Sequence, residues 1–307
     1  MRFISCCSGI EAATVAWGPI GFEPVAYSEV DEFASAVLAE RLPETPNVGD
    51  MTRFDWSSLH GAADIAIGGP PCQEYSVAGL REGVAGDRGR LYLDFLRAAR
   101  DAGCRWVVVE NVPGILSVHG GRDFATILRT VAELWPDGGA CYRVLDASLF
   151  GVPQRRRRVY LVIHATDWRR AAASLLDQPM RDWPGAPNGR TWEEAARRSG
   201  LAVEGYCLAS PQANAELIRG GLSVTLTTLH EPPIWVHDGV AERFSPEDYE
   251  LIQGFPSGWT RIPWHGRPAE RCPANRRYRA VGNSFAVPVV RWIGERIAMV
   301  EGVTDGD

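Results

Sequence analysis

Three short stretches carry side chains of complementary chemistry. Cys72 stands just past a Gly68-Gly-Pro-Pro71 turn that ends the apolar run Ala63–Ile67. Glu110, with Asn111 and Val112 behind it, follows the apolar run Trp106–Val109. Four consecutive arginines, Arg155 to Arg158, follow Gln154 and precede the apolar run Val159–Ile163. A thiol at the carboxyl end of a strand, on a turn stiffened by glycine and proline, is placed to act as a nucleophile. A carboxylate and an arginine pair at neighbouring strand ends would stabilise charge that develops as the nucleophile adds. Taken singly, each has a plainer explanation: a small buried thiol, an ion-pairing carboxylate, a solvated basic face. Their order on alternating strand ends points to one site, because ligands of doubly wound sheets gather at the carboxyl ends of the strands.

The elements that must position these groups follow from the hydrophobic pattern. Arg2–Ser5, Pro24–Ser28, Ala63–Ile67, Trp106–Glu110, Tyr142–Ser148 and Val159–Ile163 read as strands. Ile10–Trp17, Asp31–Leu42, Leu91–Ala102 and Phe124–Trp135 read as the helices between them. This alternation predicts an α/β fold with a doubly wound, Rossmann-like mixed sheet. Strand, Gly9 turn and helix open the chain as in dinucleotide-binding units, and Glu29 ends the second strand where such folds hold a ribose. Between 166 and about 240 prolines, glycines and tryptophans accumulate and strands such as Leu222–Leu226 are short. Ser245 and Pro246 then start a helix that runs to Gln253. Arg279–Pro288 reads as a Gly/Asn turn ahead of a last helix, Val289–Val300. The pattern therefore predicts a doubly wound sheet of about 160 residues followed by a second, irregular domain.

Composition bounds the possibilities further. The 307 residues include seven scattered cysteines without a CxxC pair, so neither a zinc site nor a disulfide framework is expected. A reducing, cytoplasmic setting fits, with no signal peptide and no run near the ~20 apolar residues of a membrane span. The net charge is −6, yet all 32 basic residues are arginine. Six of them fall between Arg261 and Arg279. Arginine clamps phosphate with paired hydrogen bonds, so a local basic cleft on an acidic protein is expected.

The ordered set of motifs resembles the cytosine-C5 DNA methyltransferase family. Its Pro-Cys-Gln, Glu-Asn-Val and Gln-x-Arg-x-Arg motifs correspond to Pro71-Cys72-Gln73, Glu110-Asn111-Val112 and Gln154–Arg158. Ser8-Gly9 resembles its first motif, Glu29 its ribose-binding acid and Asp50 its adenine-binding aspartate. Arg88-Gly89-Arg90-Leu91 resembles the end of its catalytic loop, Arg243–Pro256 its ninth motif and Gly282-Asn283-Ser284 its tenth. The resemblance implies a catalytic, cofactor-binding domain of residues 1–165 plus 280–307 and a small, irregular, β-rich domain of residues 166–279, with the family's variable target-recognition part at about 166–240.

The resemblance implies transfer of a methyl group from S-adenosylmethionine to C5 of cytosine in a short double-stranded DNA site, with S-adenosylhomocysteine as product and no metal. Cys72 would add to C6, making C5 nucleophilic, while Glu110, protonated or sharing a proton with ring N3, stabilises the ring. Arg156 and Arg158 would contact the base carbonyl or hold the thiol loop. The base must be flipped out of the duplex. The loop Gln73–Arg90, with Gly79, Gly83, Gly86 and Gly89, would be the lid, and Ser76 would hold a phosphate. Ser8, Gly9, Ile10, Glu11, Glu29, Val30, Asp50, Met51, Pro71, Leu91, Asn283 and Ser284 would form the cofactor site. Gln73, Ser76, Arg88, Arg219 and Thr225 would meet DNA, Arg219 at a guanine or a phosphate.

The first motif departs from the family: Cys7 stands at its aromatic position and Glu11-Ala12 at its Gly-Gly. Glu11 is either a ligand for the amino group of the cofactor's methionine end or a carboxylate at a helix N-terminus. The resemblance further implies a monomeric, bacterial or phage-encoded methylase, with or without a cognate restriction enzyme. The same chemistry on tRNA, a variant sulfonium donor and a catalytically silent DNA-binding relative are the alternatives.

Overall fold

The computed structural model describes residues 1–70, 87–176, 206–208, 217–219, 223, 225–226, 234–237 and 240–302, with backbone alone at 87–89, 206–208, 217–219, 234–237 and 240–242. Six strands form the main sheet: β1 (Arg2–Cys6), β2 (Glu23–Ser28), β3 (Ile65–Gly68), β4 (Trp106–Asn111), β5 (Gly139–Asp146) and β6 (Arg157–His164). Their order is β2-β1-β3-β4-β6-β5, parallel from β2 to β4 and antiparallel at β6 and β5. The mixed, doubly wound sheet is thus the one predicted. Every residue of β3 is buried, as expected for a central parallel strand covered on both faces.

Alternate residues of each strand feed two cores. Phe3, Ile65, Ile67, Trp106, Val108, Tyr160 and Val162 face one side; Ile4, Ala66, Val107, Val109, Leu161 and Ile163 face the other. The first face is covered by α1 (Ala12–Trp17), α2 (Glu32–Arg41), α5 (Trp168–Leu176) and α8 (Val287–Gly302). The second is covered by α3 (Asp87–Asp101) and α4 (Arg122–Leu134). α1 and α8 pack closely: a Cβ at Gly294 would run into the Trp17 indole. That indole donates to the Val290 carbonyl at 2.8 Å. Ala171 and Leu175 of α5 lie fully buried in the first core.

Beyond it, β7 (Tyr206–Leu208), β8 (Leu217–Arg219), β9 (Ile234–His237) and β10 (Val240–Arg243) form an antiparallel sheet ordered β10-β9-β7-β8. α6 (Pro246–Gln253) carries the predicted cap, with Ser245 and Asp248 exchanging hydrogen bonds in a capping box. Arg279–Asn283, expected as a turn, is instead the last part of α7 (Ala274–Asn283). Buried Arg277 and Val281 anchor that helix, and its end at Gly282-Asn283 carries the turn signals that suggested a loop. Phe244, Tyr249, Ile252, Phe255, Ile262 and Trp264 join the first core.

Candidate active site

The register places the chemistry at one end of the sheet. Cys6 pairs with both Ser28 and Gly68, and Gly68 pairs with Val109. The residues that follow these paired positions, Cys7-Ser8, Glu29, Gly69-Pro70 and Glu110-Asn111, therefore emerge side by side. β6 runs the other way: Glu110 pairs with Tyr160 and Asn111 with Val159. The start of β6, with Arg157 and Arg158, thus lies at the carboxyl end of β4. This is how an arginine run upstream of a strand meets a glutamate downstream of one.

Arg158 Nε lies 3.2 Å and Arg156 Nη2 3.9 Å from Glu110 Oε1. The four arginines divide by environment: Arg155 and Arg157 are exposed, Arg158 is partly buried and Arg156 is 3% exposed. Arg156 donates to the carbonyls of Gly282 at 3.3 Å and Ser284 at 2.8 Å. It therefore clamps the Gly282–Ser284 end of α7 against Glu110, and Arg158 is the guanidinium nearer the open side. Gln154 extends the clamp, with Nε2 donating to Gln253 Oε1 at 2.6 Å, while Gln253 Nε2 donates to the Ser284 carbonyl at 2.6 Å. Gln253 carried no sequence signal beyond its place at the end of a helix.

The turn leading toward Cys72 is set by close packing. A Cβ at Gly68 would lie 2.8 Å from the Phe95 ring, and one at Gly69 would lie 2.6 Å from the Phe285 ring and 3.8 Å from Glu110 Oε2. Asn111 Nδ2 donates to the Pro70 carbonyl at 3.4 Å, and its Oδ1 accepts from Val112 N at 2.8 Å. Glu110 and the backbone leading to the thiol are thereby fixed together. Pro71, Cys72, Gln73 and Ser76, with most of the expected lid, lie outside the described residues, as do the side chains of Arg88 and Arg219.

On the other side of the sheet end, the Glu29 carboxylate accepts from Gly9 N at 2.7 Å, Val30 N at 2.8 Å and Asp31 N at 2.7 Å. A carboxylate has about four acceptor sites, so capacity remains for a hydroxyl. Val30 is 72% exposed, an apolar surface directly beside this acid. Asp50 accepts from Thr52 N and Thr52 Oγ1, which hold its carboxyl below the usual range. Met51 is buried and Leu91 partly buried. Asn47, unsuspected from the sequence, organises the loop by accepting from Glu29 N and Gly49 N and donating to the Glu29 carbonyl.

Not every expected contact side chain faces this space. Ser8 is buried, its hydroxyl donating to the Ser5 carbonyl at 2.8 Å and accepting from Ser28 N at 3.2 Å, so it ties β1 to β2. The Ile10 side chain is in the first core. Ser284 is buried and contributes its carbonyl to the Arg156 clamp, whereas Asn283 is exposed. Glu11 has no exposed surface and sits at φ 64°, with Oε1 accepting from Thr14 N at 3.0 Å. The helix-terminus role is the geometry seen. Burial pushes its pKa up to about 7 against the hydrogen bonds from the Ser5 side chain and from Thr14. Burial likewise raises the Cys7 thiol to about 12, with the charges of Glu29 and Asp50 adding. Cys7 thus stays a neutral thiol at φ 50° in the turn.

The expected basic cleft at 261–279 is only partly realised. Arg277 is buried and pairs with Glu247 at 2.8 Å and Glu250 at 2.9 Å. Glu250, itself fully buried, also accepts from Thr260 N at 2.8 Å and Gly258 N at 2.5 Å. Thr225 Oγ1 donates to the Arg155 carbonyl at 2.5 Å, and Ser223 bridges Gln154. The recognition-like segment is thus fastened to the arginine run at Ser223 and Thr225.

The family model for C-5 cytosine-specific DNA methylases matches residues 1–183. The type II methyltransferase M2.BsuMI of Bacillus subtilis is 30% identical over 98% of this chain and 76% of its own length. The DNA N-6-adenine-methyltransferase of Escherichia phage P1 is 26% identical over 95% of this chain, which spans 60% of that relative's length. Among solved structures, DNMT2 of Spodoptera frugiperda superposes with a TM-score of 0.65 at 16% identity, over 97% of this chain and 99% of that one.

Proposed function

The chain belongs to the C-5 cytosine-specific DNA methylase family, and we propose that it transfers a methyl group from S-adenosylmethionine to C5 of a flipped cytosine in a short double-stranded DNA site. The observation that carries this reading is the Glu110 carboxylate. It is held at the end of β4 between Arg158 and Arg156, with Oε2 3.8 Å from where a Cβ at Gly69, ahead of Cys72, would stand.

The cofactor site fits the proposed donor. Glu29 offers an acceptor for ribose hydroxyls, exposed Val30 an apolar face for the adenine, and Asp50 an ionised acceptor for its amino group. Gly9, backed by Glu29, opens the turn beside them. Asn283 lies at the same edge, and Met51, Pro71 and Leu91 complete the proposed set. Ser8, Ile10, Glu11 and Ser284 support the site through their backbone or from beneath. When bound, S-adenosylmethionine supplies an electrophilic methyl on sulfonium.

The chain's own residues then prepare the base. The Cys72 thiolate adds to C6, and the electron pair of the C5–C6 bond moves to C5. Glu110 shares a proton at ring N3, so the charge displaced into the ring is met by a hydrogen-bonded acid rather than by solvent. Arg158 reaches toward the base carbonyl, while Arg156 keeps Glu110 and the Gly282–Ser284 end of α7 in register. After C5 has taken the methyl, loss of the C5 proton to water and departure of Cys72 restore the aromatic ring and free the thiol. Gln73, Ser76, Arg88, Arg219 and Thr225 are proposed to meet the DNA. No helix among the described residues is long and apolar enough to cross a membrane.

The reading is tested by incubating the purified chain with duplex DNA, or with tRNA, and methyl-labelled S-adenosylmethionine, then quantifying modified bases in the digest. 5-Methylcytosine in DNA, abolished by Cys72→Ser, is expected. Label in tRNA alone, or N6-methyladenine as the product, would overturn it. Methylation of an adenine amino group, the activity for which the phage P1 relative is named, calls on no thiol.

A further inference from the structure

Gly258–Arg261 crosses from the end of α6 to the cofactor-side turn, and its contacts serve no step described above. Trp259 Nε1 donates to the Ile10 carbonyl at 2.9 Å. Its indole stacks on Phe255, with centroids 6.0 Å apart, and the Arg41 guanidinium lies 6.0 Å from the ring centre. Arg41, the last residue of α2, donates to the carbonyls of Trp259 at 2.9 Å, Gly258 at 2.7 Å and Arg261 at 3.0 Å. From behind, Glu250 accepts from the amides of Gly258 and Thr260. The indole is therefore fixed before any ligand arrives.

The carbonyl it holds belongs to the peptide joining Ile10 to Glu11, and the rotation of that peptide sets Glu11 φ. Glu11 is in the left-handed region, unfavourable for a residue with a side chain. The same peptide is held at its other end, where Glu11 N donates to the Ser8 carbonyl at 3.0 Å. Glu11 Oε1 then accepts from Thr14 N. Strain of this kind persists only where surrounding contacts over-determine it.

We propose that Trp259 is a positioning residue for S-adenosylmethionine: its indole N–H holds the Ile10–Glu11 peptide and so preforms the turn Cys7–Glu11 against which the cofactor binds. This rests on the methyltransferase reading above. Without the hydrogen bond the peptide can rotate, only a fraction of molecules present the binding-competent turn, and apparent affinity falls by that fraction.

The test is Trp259→Phe, which keeps the ring stack and removes the donor. S-adenosylhomocysteine binding is measured by calorimetry on the full chain, and binding of a mixed-sequence duplex is measured without cofactor. The expected result is about a tenfold rise in the cofactor Kd with the DNA Kd within about twofold of wild type. The KM for S-adenosylmethionine should rise in parallel, and the KM for DNA should not. An unchanged cofactor Kd, or equal weakening toward both ligands, would overturn the proposal. If Trp259→Phe does not fold, Arg41→Gln, which frees the strap and leaves the indole, is expected to raise the cofactor Kd about threefold; no rise there would overturn it equally. Wild type that binds no S-adenosylhomocysteine would overturn the methyltransferase reading itself, whereas a variant that matches a binding-competent wild type overturns this inference alone.

Discussion

Replacing Glu11 by Gln isolates the energetic cost of a buried acid beneath the cofactor turn. Burial raises the Glu11 pKa from the usual 4.5 to about 7, while the unfolded chain titrates near the usual value. Between those two pH values the folded state holds the proton and the unfolded state has released it. Stability therefore falls as pH rises through this window and levels off above about pH 7. The displacement corresponds to about 3 kcal/mol between pH 4 and pH 8. Gln keeps the acceptor that caps Thr14 N and cannot ionise. In urea unfolding, the stability difference Glu11→Gln minus wild type should be near zero or slightly negative at pH 4.5. It should grow in the variant's favour by up to about 3 kcal/mol at pH 8. A difference constant across pH 5 to 8 would refute the assignment of a protonated, buried carboxylate. A difference that grows toward low pH would refute its sign.

Arg277→Met removes the only cation paired with fully buried Glu250 among the described residues, and is expected to cost about 3–5 kcal/mol in urea unfolding; a loss below about 1 kcal/mol would contradict the buried pairing. Arg158→Met takes the nearer guanidinium from Glu110 and should lower kcat about 100-fold with little effect on cofactor affinity, checked by steady-state methyl transfer. Gly69→Ala forces a Cβ to 2.6 Å from the Phe285 ring, so it should displace the turn ahead of Cys72 and reduce kcat by at least about tenfold. The double variant with Phe285→Leu should recover part of that loss.

Much of the sheet was legible in the sequence because its strands are buried on both faces and read as uninterrupted apolar runs, as at Ile65–Ile67 and Trp106–Val109. The meeting of Glu110 with the arginine run was legible as soon as strand ends were aligned. The antiparallel entry of β6, which brings Arg158 to that end, is a matter of pairing that no local pattern encodes. The roles within the run were not legible: four identical residues differ only in burial, and Arg156 owes its clamp to carbonyls more than 120 positions away. Gln253, Asn47 and Trp259 act through hydrogen bonds to backbone remote in the chain, for which the sequence has no period. Arg277 was hidden in an apparently basic stretch because its partners lie on α6, a separate helix. The helix Ala274–Asn283 was obscured by its own terminal Gly282-Asn283, which reads locally as a turn.

The central claim is a covalent bond between Cys72 and C6 of a flipped cytosine. Incubation of wild-type protein with S-adenosylmethionine and a 5-fluorocytosine-substituted duplex, followed by denaturing electrophoresis and mass spectrometry, tests it most directly. Fluorine cannot leave C5 as a proton would, so the adduct should persist, with one methylated nucleotide mapped to the peptide containing Cys72. Absence of any adduct from a preparation that methylates ordinary DNA, or an adduct mapped to another residue, would contradict the account.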